Sequence, residues 1–216
     1  MYVPTPSAIP TVRARPTLVG DLMDVAVTAD IDPTAEIGPG TMIWHLSQVR
    51  EYATVGPNCI LGRASYVGPG VILGKNCKVQ NFALIYEPAL LEDGVFVGPA
   101  AVLTNDRYPR AITIDGIRKS AEDWTLVGVT VRTGASIGAR AVCVAPITIG
   151  RWATIAAGSV VTRNVPDFAL MVGSPAKRVG WVGRSGVPLE QTDPGNFTCP
   201  VTGERYRELE GNLSLL

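Results

Sequence analysis

Residues 31–103 read IDPTAEIGPGTMIWHLSQVREYATVGPNCILGRASYVGPGVILGKNCKVQNFALIYEPALLEDGVFVGPAAVL, and every sixth one is aliphatic. The positions are Ile31, Ile37, Ile43, Val49, Val55, Leu61, Val67, Leu73, Val79, Ile85, Leu91, Val97 and Leu103. Ile, Val and Leu make up 56 of the 216 residues, so thirteen in succession have a chance probability on the order of 10⁻⁸ and mark an internal repeat. Two residues ahead of these positions lies a column of mostly small residues, among them Ala35, Thr41, Ser47, Ala53, Cys59, Ser65, Cys77, Ala83 and Ala101. A helix repeats near 3.6 residues and a plain strand at two, so neither accounts for a period of six. A short strand followed by a corner does. One aliphatic side chain points inward, a small residue fills the interior beside the turn, and a glycine such as Gly38, Gly56, Gly62 or Gly74 takes the bend. Three such strands close a triangular coil of eighteen residues, and coils stack at roughly 4.8 Å.

The count breaks after Leu103 and resumes at Val131, Ile137, Cys143, Ile149, Ile155 and Val161. The spacing from Leu103 to Val131 is not a multiple of six, so the polar stretch TNDRYPRAITIDGIRKSAEDW (104–124) is a loop expelled from the coils. Loops carried on a rigid scaffold are where function tends to concentrate. The expected organisation is an N-terminal arm over 1–30, an all-β parallel β-helix over 31–166 with the inserted loop 104–124, and a C-terminal cap and tail over 167–216. Pro166 marks the end because it cannot donate to a further ladder, and a solenoid needs capped ends.

Composition excludes several classes. The chain has zero formal net charge with 18% charged residues, so nothing marks a nucleic-acid or anionic-membrane surface. The opening MYVPTPSAIPTVRARP has no apolar core of a secretory signal, and no apolar run reaches the roughly twenty residues that span a bilayer. Four cysteines without a CxxC pair read as buried small residues in a reducing cytoplasm, the expected location. His45 is the only histidine. A three-histidine zinc site needs more than this chain supplies, which argues against metal hydrolysis.

The eighteen-residue register stacks His45, Arg63 and Asn81 in one outward file and Glu51, Glu87 and Asn105 in another. Such polar files are often only solvated surface, and a lone histidine is more often a structural hydrogen-bond partner than a base.

Beyond the repeat, IWHLSQV (43–49), KVQNFALIYEPALLEDGVFVGP (78–99), LTNDRYPRA (103–111), residues 125–181 and CPVTGERY (199–206) resemble the bacterial nucleotide-sugar N-acyltransferases. The resemblance implies a left-handed β-helix and a homotrimer with active sites between adjacent copies. It implies acetyl-CoA as co-substrate, no metal, and the 3-amino group of a UDP- or dTDP-linked sugar as acceptor. Asn81 matches the family asparagine beside the acceptor amine, and His45 the histidine of a Trp-His pair. With Glu87 these are the catalytic candidates: Asn81 and Glu87 to orient the amine, His45 as base or as orienter of Asn81. Arg63, Tyr86, Asn105, Asp106 and Arg110 are the candidates for binding the nucleotide sugar. For the coenzyme, Ala139 and Ala157 would allow close approach, and Arg163, Lys177 and Arg178 would meet its phosphates. Two positions depart from the family pattern, Phe82 for a second asparagine and Gln48 for a second histidine. A more apolar pocket fits a deoxy sugar better than a uronic acid. Two alternatives remain. One is an O-acetyltransferase, for which only His45 could serve as base; the other is a non-catalytic trimeric scaffold.

Overall fold

The computed structural model describes residues 24–216, and the part of the expected arm over 1–23 lies outside them. Strands of two or three residues recur along the chain and stack into three parallel sheets. Sheet 1 begins at Asp24–Val25, sheet 2 at Asp30–Ile31 and sheet 3 at Glu36–Ile37, each strand pairing with the one eighteen residues on. Met42, Ile60, Lys78 and Phe96 are thus successive partners on sheet 1. The register survives the insertion: Leu91 pairs with Val131, and Leu103 with Cys143. All-β and parallel, the solenoid is what the six-residue period requires.

The aliphatic column forms the core. Ile43, Leu61, Val79, Val97, Ile137 and Ile155 stack behind sheet 1, each no more than 1% exposed. Burying a side chain of this size contributes roughly 1.5–3 kcal/mol, and the stack repeats it at every strand. The small column closes the corners. Thr41 Oγ1 donates to the Gly56 carbonyl (3.0 Å), Ser47 Oγ to Gly62 (2.8 Å) and Cys59 Sγ to Gly74 (3.1 Å). These short side chains satisfy corner carbonyls of the next coil that no strand partner reaches. All four cysteines are free and buried.

Pairing extends beyond both expected ends of the β-helix. At the start, Asp24 already pairs with Met42, seven residues ahead of Ile31. At the far end, Leu170 and Met171 pair with Thr154 and Ile155, past Pro166. Val165 still bridges Ile149 on sheet 3, Pro166 sits at the following corner beside Gly150, and the chain then rejoins sheet 1. Ala169–Gly173 then folds back antiparallel on Ala176–Trp181. A four-stranded antiparallel sheet over 190–215 follows, and Tyr206 from it packs edge-on against Phe168 at 5.4 Å. This cap covers the last coil.

The prism has three long edges. The 1–2 edge holds the turns between sheets 1 and 2, the 2–3 edge those between sheets 2 and 3, and the 3–1 edge closes each coil. The inserted loop leaves after Leu103 and returns at Val129, so it emerges from the 2–3 edge.

Candidate active site

The 1–2 edge carries a continuous file. His45, Arg63 and Asn81 occupy the first turn position in three successive coils, all exposed. Backbone bonds stack the turns: Ala64 N donates to His45 O (3.1 Å) and Phe82 N to Arg63 O (2.9 Å). Further along the edge the same position is held by Pro99, Ala139 and Ala157. One end therefore bears polar groups, and the other is flat.

Two side chains in this file are fixed within the chain. Asn81 Oδ1 accepts the backbone N–H of Arg63 at 2.9 Å, and a Cβ on Gly62 would lie 2.6 Å from that oxygen. Glycine at 62 is what lets the amide reach the corner. The Nδ2 group of Asn81 remains as its outward donor. His45 Nδ1 is 2.9 Å from Thr28 Oγ1, which leaves Nε2 for a ligand. Thr28, one coil earlier, positions the ring; Asn81 is oriented by Arg63, so the expectation that His45 orients Asn81 finds no bond to carry it. A shallow depression lies beside His45, lined by Asp24, Ala26, Met42, Ile43 and Trp44.

The second turn position on this edge is unusual. Leu46, Ala64, Phe82, Ala100 and Arg140 all adopt φ between 54° and 62°. For an L-residue with a Cβ this left-handed geometry costs roughly 1–2 kcal/mol, and it is most unfavourable for bulky side chains. Leu46 and Phe82 are also more than half exposed. Arg140 lies beside Ala139 on the flat part of the edge, exposed, and its guanidinium makes no ion pair among the described residues. Sequence reasoning passed over it; the signal was its place one residue after an alanine in the same file.

The other candidates stand elsewhere. Glu51, Glu87 and Asn105 line the 2–3 edge, on the far side of sheet 2 from Asn81. Within one chain the amine-orienting pair Asn81 and Glu87 does not converge. Around Glu87 the surroundings are dense. Tyr86 packs on Tyr66 with ring centroids 5.1 Å apart, and Arg50 donates to Glu51 Oε1 at 2.7 Å. That bond holds the Glu51 carboxyl below its usual range, while burial, then the charge of Glu87, push the Tyr66 hydroxyl up. The Oε2 atoms of Glu51 and Glu87 are buried without a partner among the described residues. Asp106 accepts the Tyr108 N–H (2.8 Å) and Arg110 donates to the Pro109 carbonyl (2.9 Å), both within the loop.

The basic residues divide as well. Arg163 follows the last strand of sheet 2, whereas Lys177 and Arg178 belong to the hairpin on sheet 1. Arg178 is committed inside the cap: it pairs with Glu208 at 3.1 Å and lies 3.9 Å over the Trp181 ring. Among the described residues no group of three His, Cys, Asp or Glu side chains could hold a metal ion, and no helix is long and apolar enough to cross a membrane.

Comparison with known proteins adds identity to this arrangement. Residues 52–87 match the family model for the bacterial transferase hexapeptide (six repeats), and residues 129–163 that for the hexapeptide repeat of succinyl-transferase. The dTDP-3-amino-3,6-dideoxy-alpha-D-galactopyranose 3-N-acetyltransferase of Aneurinibacillus thermoaerophilus is 44% identical over 86 residues, covering 40% of this chain and 44% of that protein. The bifunctional protein GlmU of Synechococcus sp. (strain RCC307) is 32% identical over 164 residues, covering 75% of this chain and 33% of that protein. This chain thus spans less than half the length of either relative. The acetyltransferase domain of PglB from Neisseria gonorrhoeae, solved with acetyl coenzyme A, aligns over 73% of this chain and 57% of its own with a TM-score of 0.47 and 20% identity. Both halves of the solenoid therefore carry the hexapeptide repeat of bacterial transferases, which indicates a left-handed β-helix.

Proposed function

We propose that this hexapeptide-repeat chain is an N-acyltransferase that moves an acetyl group from acetyl-CoA to the amino group, at C3, of a dTDP- or UDP-linked amino sugar. The observation that carries this reading is the 1–2 edge, where the polar file His45, Arg63 and Asn81 runs into the flat track Ala139 and Ala157. An acceptor at the first part and a pantetheine along the second would bring amine and thioester together. The 44% identity to a named 3-N-acetyltransferase supports the same reaction class.

The chemistry demands little. A sugar amine flanked by electron-withdrawing oxygens has a pKa lowered toward that of an α-amino group, roughly 7.7–8.0, so a useful fraction is neutral near pH 7. Its nitrogen attacks the thioester carbon, the carbon–sulfur bond breaks, and the surplus proton passes to the departing thiolate directly or through His45 Nε2. Orientation supplies much of the acceleration. Asn81, held by Arg63 N–H, presents its amide to the acceptor. Corner N–H groups along the edge serve the oxyanion. The small side chains of Ala139 and Ala157 let pantetheine approach the edge closely, and Arg140 meets a phosphate.

The working assembly in this reading is a homotrimer in the cytoplasm. Sheet 2 presents a nearly unbroken apolar file outward, Tyr66, Leu84, Val102, Val142 and Val160, all half-buried. Neither other sheet has one of that length. Packing sheet 2 about a threefold axis would place the 1–2 edge of one copy opposite the 2–3 edge of the next. Glu87, Tyr86 and the loop residues Asn105, Asp106 and Arg110 would then reach the acceptor from a neighbouring copy. Exposed Ile112, Ile114 and Ile117 on the loop fit being covered in this way.

The test is incubation with acetyl-CoA and a panel of dTDP- and UDP-linked 3-amino sugars, following free thiol and product mass. Release of thiol with a singly N-acetylated sugar is expected. Absence of thiol release with every acceptor would contradict the reading.

A further inference from the structure

We infer that Phe82 sets the acceptor class, its ring receiving the deoxygenated, methyl-bearing edge of the sugar and disfavouring a sugar that carries a carboxylate there. This rests on the acyl-transfer reading of the 1–2 edge and goes beyond it.

The fold itself asks for a different residue. Position 82 is the second residue of a corner turn, with φ +62°. At the matching position of the 3–1 edge the chain uses Gly40, Asn58, Asn76, Gly94 and Gly134, which take left-handed geometry with least strain, and two aromatics, Trp152 and Phe168, that are packed against the core or within it. Phenylalanine is a poor choice there on backbone grounds. Its exposure, 55%, leaves little packing in return within one chain. A ring kept out in solvent at a strained position is explained by something that covers it.

What covers it follows from its neighbours. Phe82 directly follows Asn81, whose amide is fixed at the corner by Arg63 N–H, and it stands one coil above Ala64 and two above Leu46. An apolar file, Leu46, Ala64 and Phe82, thus runs beside the polar file His45, Arg63 and Asn81. A ligand lying across both meets hydrogen-bonding groups on one side and carbon on the other. An amino sugar with a methyl group in place of an oxidised carbon has that division; a uronic acid would bring its carboxylate against the ring without a donor. Asparagine at 82 would supply such donors and would relieve the backbone.

The experiment uses the full chain and two acceptors sharing one nucleotide and differing only at C6, methyl against carboxylate. The wild type is expected to favour the methyl sugar in kcat/KM, and Phe82→Asn to reduce that preference at least about tenfold, a discrimination within reach of one apolar contact. Phe82→Leu should keep most of it. The melting temperature of Phe82→Asn should stay level or rise, so a fall in preference is not a folding loss. An unchanged ratio in Phe82→Asn, a wild type that favours the carboxylate, or dissociation of the Phe82→Asn assembly in sedimentation would each overturn the inference. The last would place the ring against another copy. A wild type that acetylates neither sugar nor any other nucleotide-linked amine would overturn the acyltransferase reading with it.

Discussion

The 1–2 and 3–1 edges are built by the same repeat and solve the same turn, yet they differ in what they leave exposed. On the 3–1 edge the left-handed position is held by Gly40, Asn58, Asn76, Gly94 and Gly134 and then by Trp152 and Phe168, both packed against the core or within it, and charges are answered locally, Lys75 by Asp93 and Arg151 by Asp167. On the 1–2 edge the same position is held by Leu46, Ala64, Phe82, Ala100 and Arg140, with glycine only at Gly158, while Arg63 and Arg140 make no ion pair among the described residues. One edge is finished within the chain. The other leaves strained, bulky side chains and unmet groups exposed, and such features gather where a ligand or partner completes them. Exposure of bulky residues at the left-handed position therefore separates the two edges more sharply than polarity does, since both edges are polar.

The sharpest way to break this contrast uses a matched pair. Asn81 Oδ1 accepts from Arg63 N, and Asp93 Oδ1 accepts from Lys75 N at 3.0 Å, the same bond on the two edges. Each replacement by alanine removes one corner bond, costing about 1 kcal/mol of stability. Asn81→Ala should also lower kcat on the order of 100-fold with little change in KM for acetyl-CoA, whereas Asp93→Ala should leave turnover near wild type. Steady-state kinetics with thermal melting checks both, and equal turnover in the two variants would erase the distinction.

A smaller effect is expected at His45. Because part of the amine is already neutral, His45→Ala should slow N-transfer about tenfold rather than abolish it, a loss at the low end for a proton-transfer group. Complete loss of turnover would point instead to a hydroxyl acceptor, which depends on a base throughout.

Backbone strain should change sign between the edges. Gly94→Ala meets no atom within 4 Å but must hold φ +68°, so it should lose about 1 kcal/mol. Ala64→Gly, at φ +54°, should gain roughly 0.5 kcal/mol, because relief of strain is partly offset by the added freedom of the unfolded chain. Chemical denaturation measures both.

The smallest effect is a pH dependence belonging to the 3–1 edge. The Thr133 hydroxyl donates to Glu92 Oε2 at 2.7 Å and its N–H does so at 2.9 Å, and these bonds hold the Glu92 carboxyl below its ordinary range. A carboxyl depressed on folding adds stability above its unfolded pKa, about 4.3, and loses it as pH falls toward the folded value. Thr133→Val should flatten that acid limb in melting curves while leaving acetyl transfer unchanged.

Much of this was legible in the sequence because a period of six leaves few alternatives. The aliphatic column, the small column and the break after Leu103 predict the three sheets, the core and the loop. The end boundaries were misread: Val25 stands six residues before Ile31 and already belongs to the aliphatic count, while Pro166 hides the strand that follows it. At the site, eighteen-residue spacing placed His45, Arg63 and Asn81 on one edge. It also placed Glu87 and Asn105 in a separate file, but counting along the chain does not show that a whole sheet lies between the two. Arg178 read as an open cation, although its partners Glu208 and Trp181 come from the later cap and the same hairpin. The left-handed turn at Phe82 was legible only through its register, in the column of Gly40, Asn58, Gly70, Asn76 and Gly94, since phenylalanine itself does not announce such geometry.

Coenzyme binding by isothermal titration tests the central claim most directly, using Ala157→Trp on the 1–2 edge and Arg151→Trp at the equivalent turn position of the 3–1 edge. The account predicts that Ala157→Trp abolishes acetyl-CoA binding and that Arg151→Trp binds as the wild type does. Unimpaired binding by Ala157→Trp, or loss of binding in Arg151→Trp alone, would contradict it.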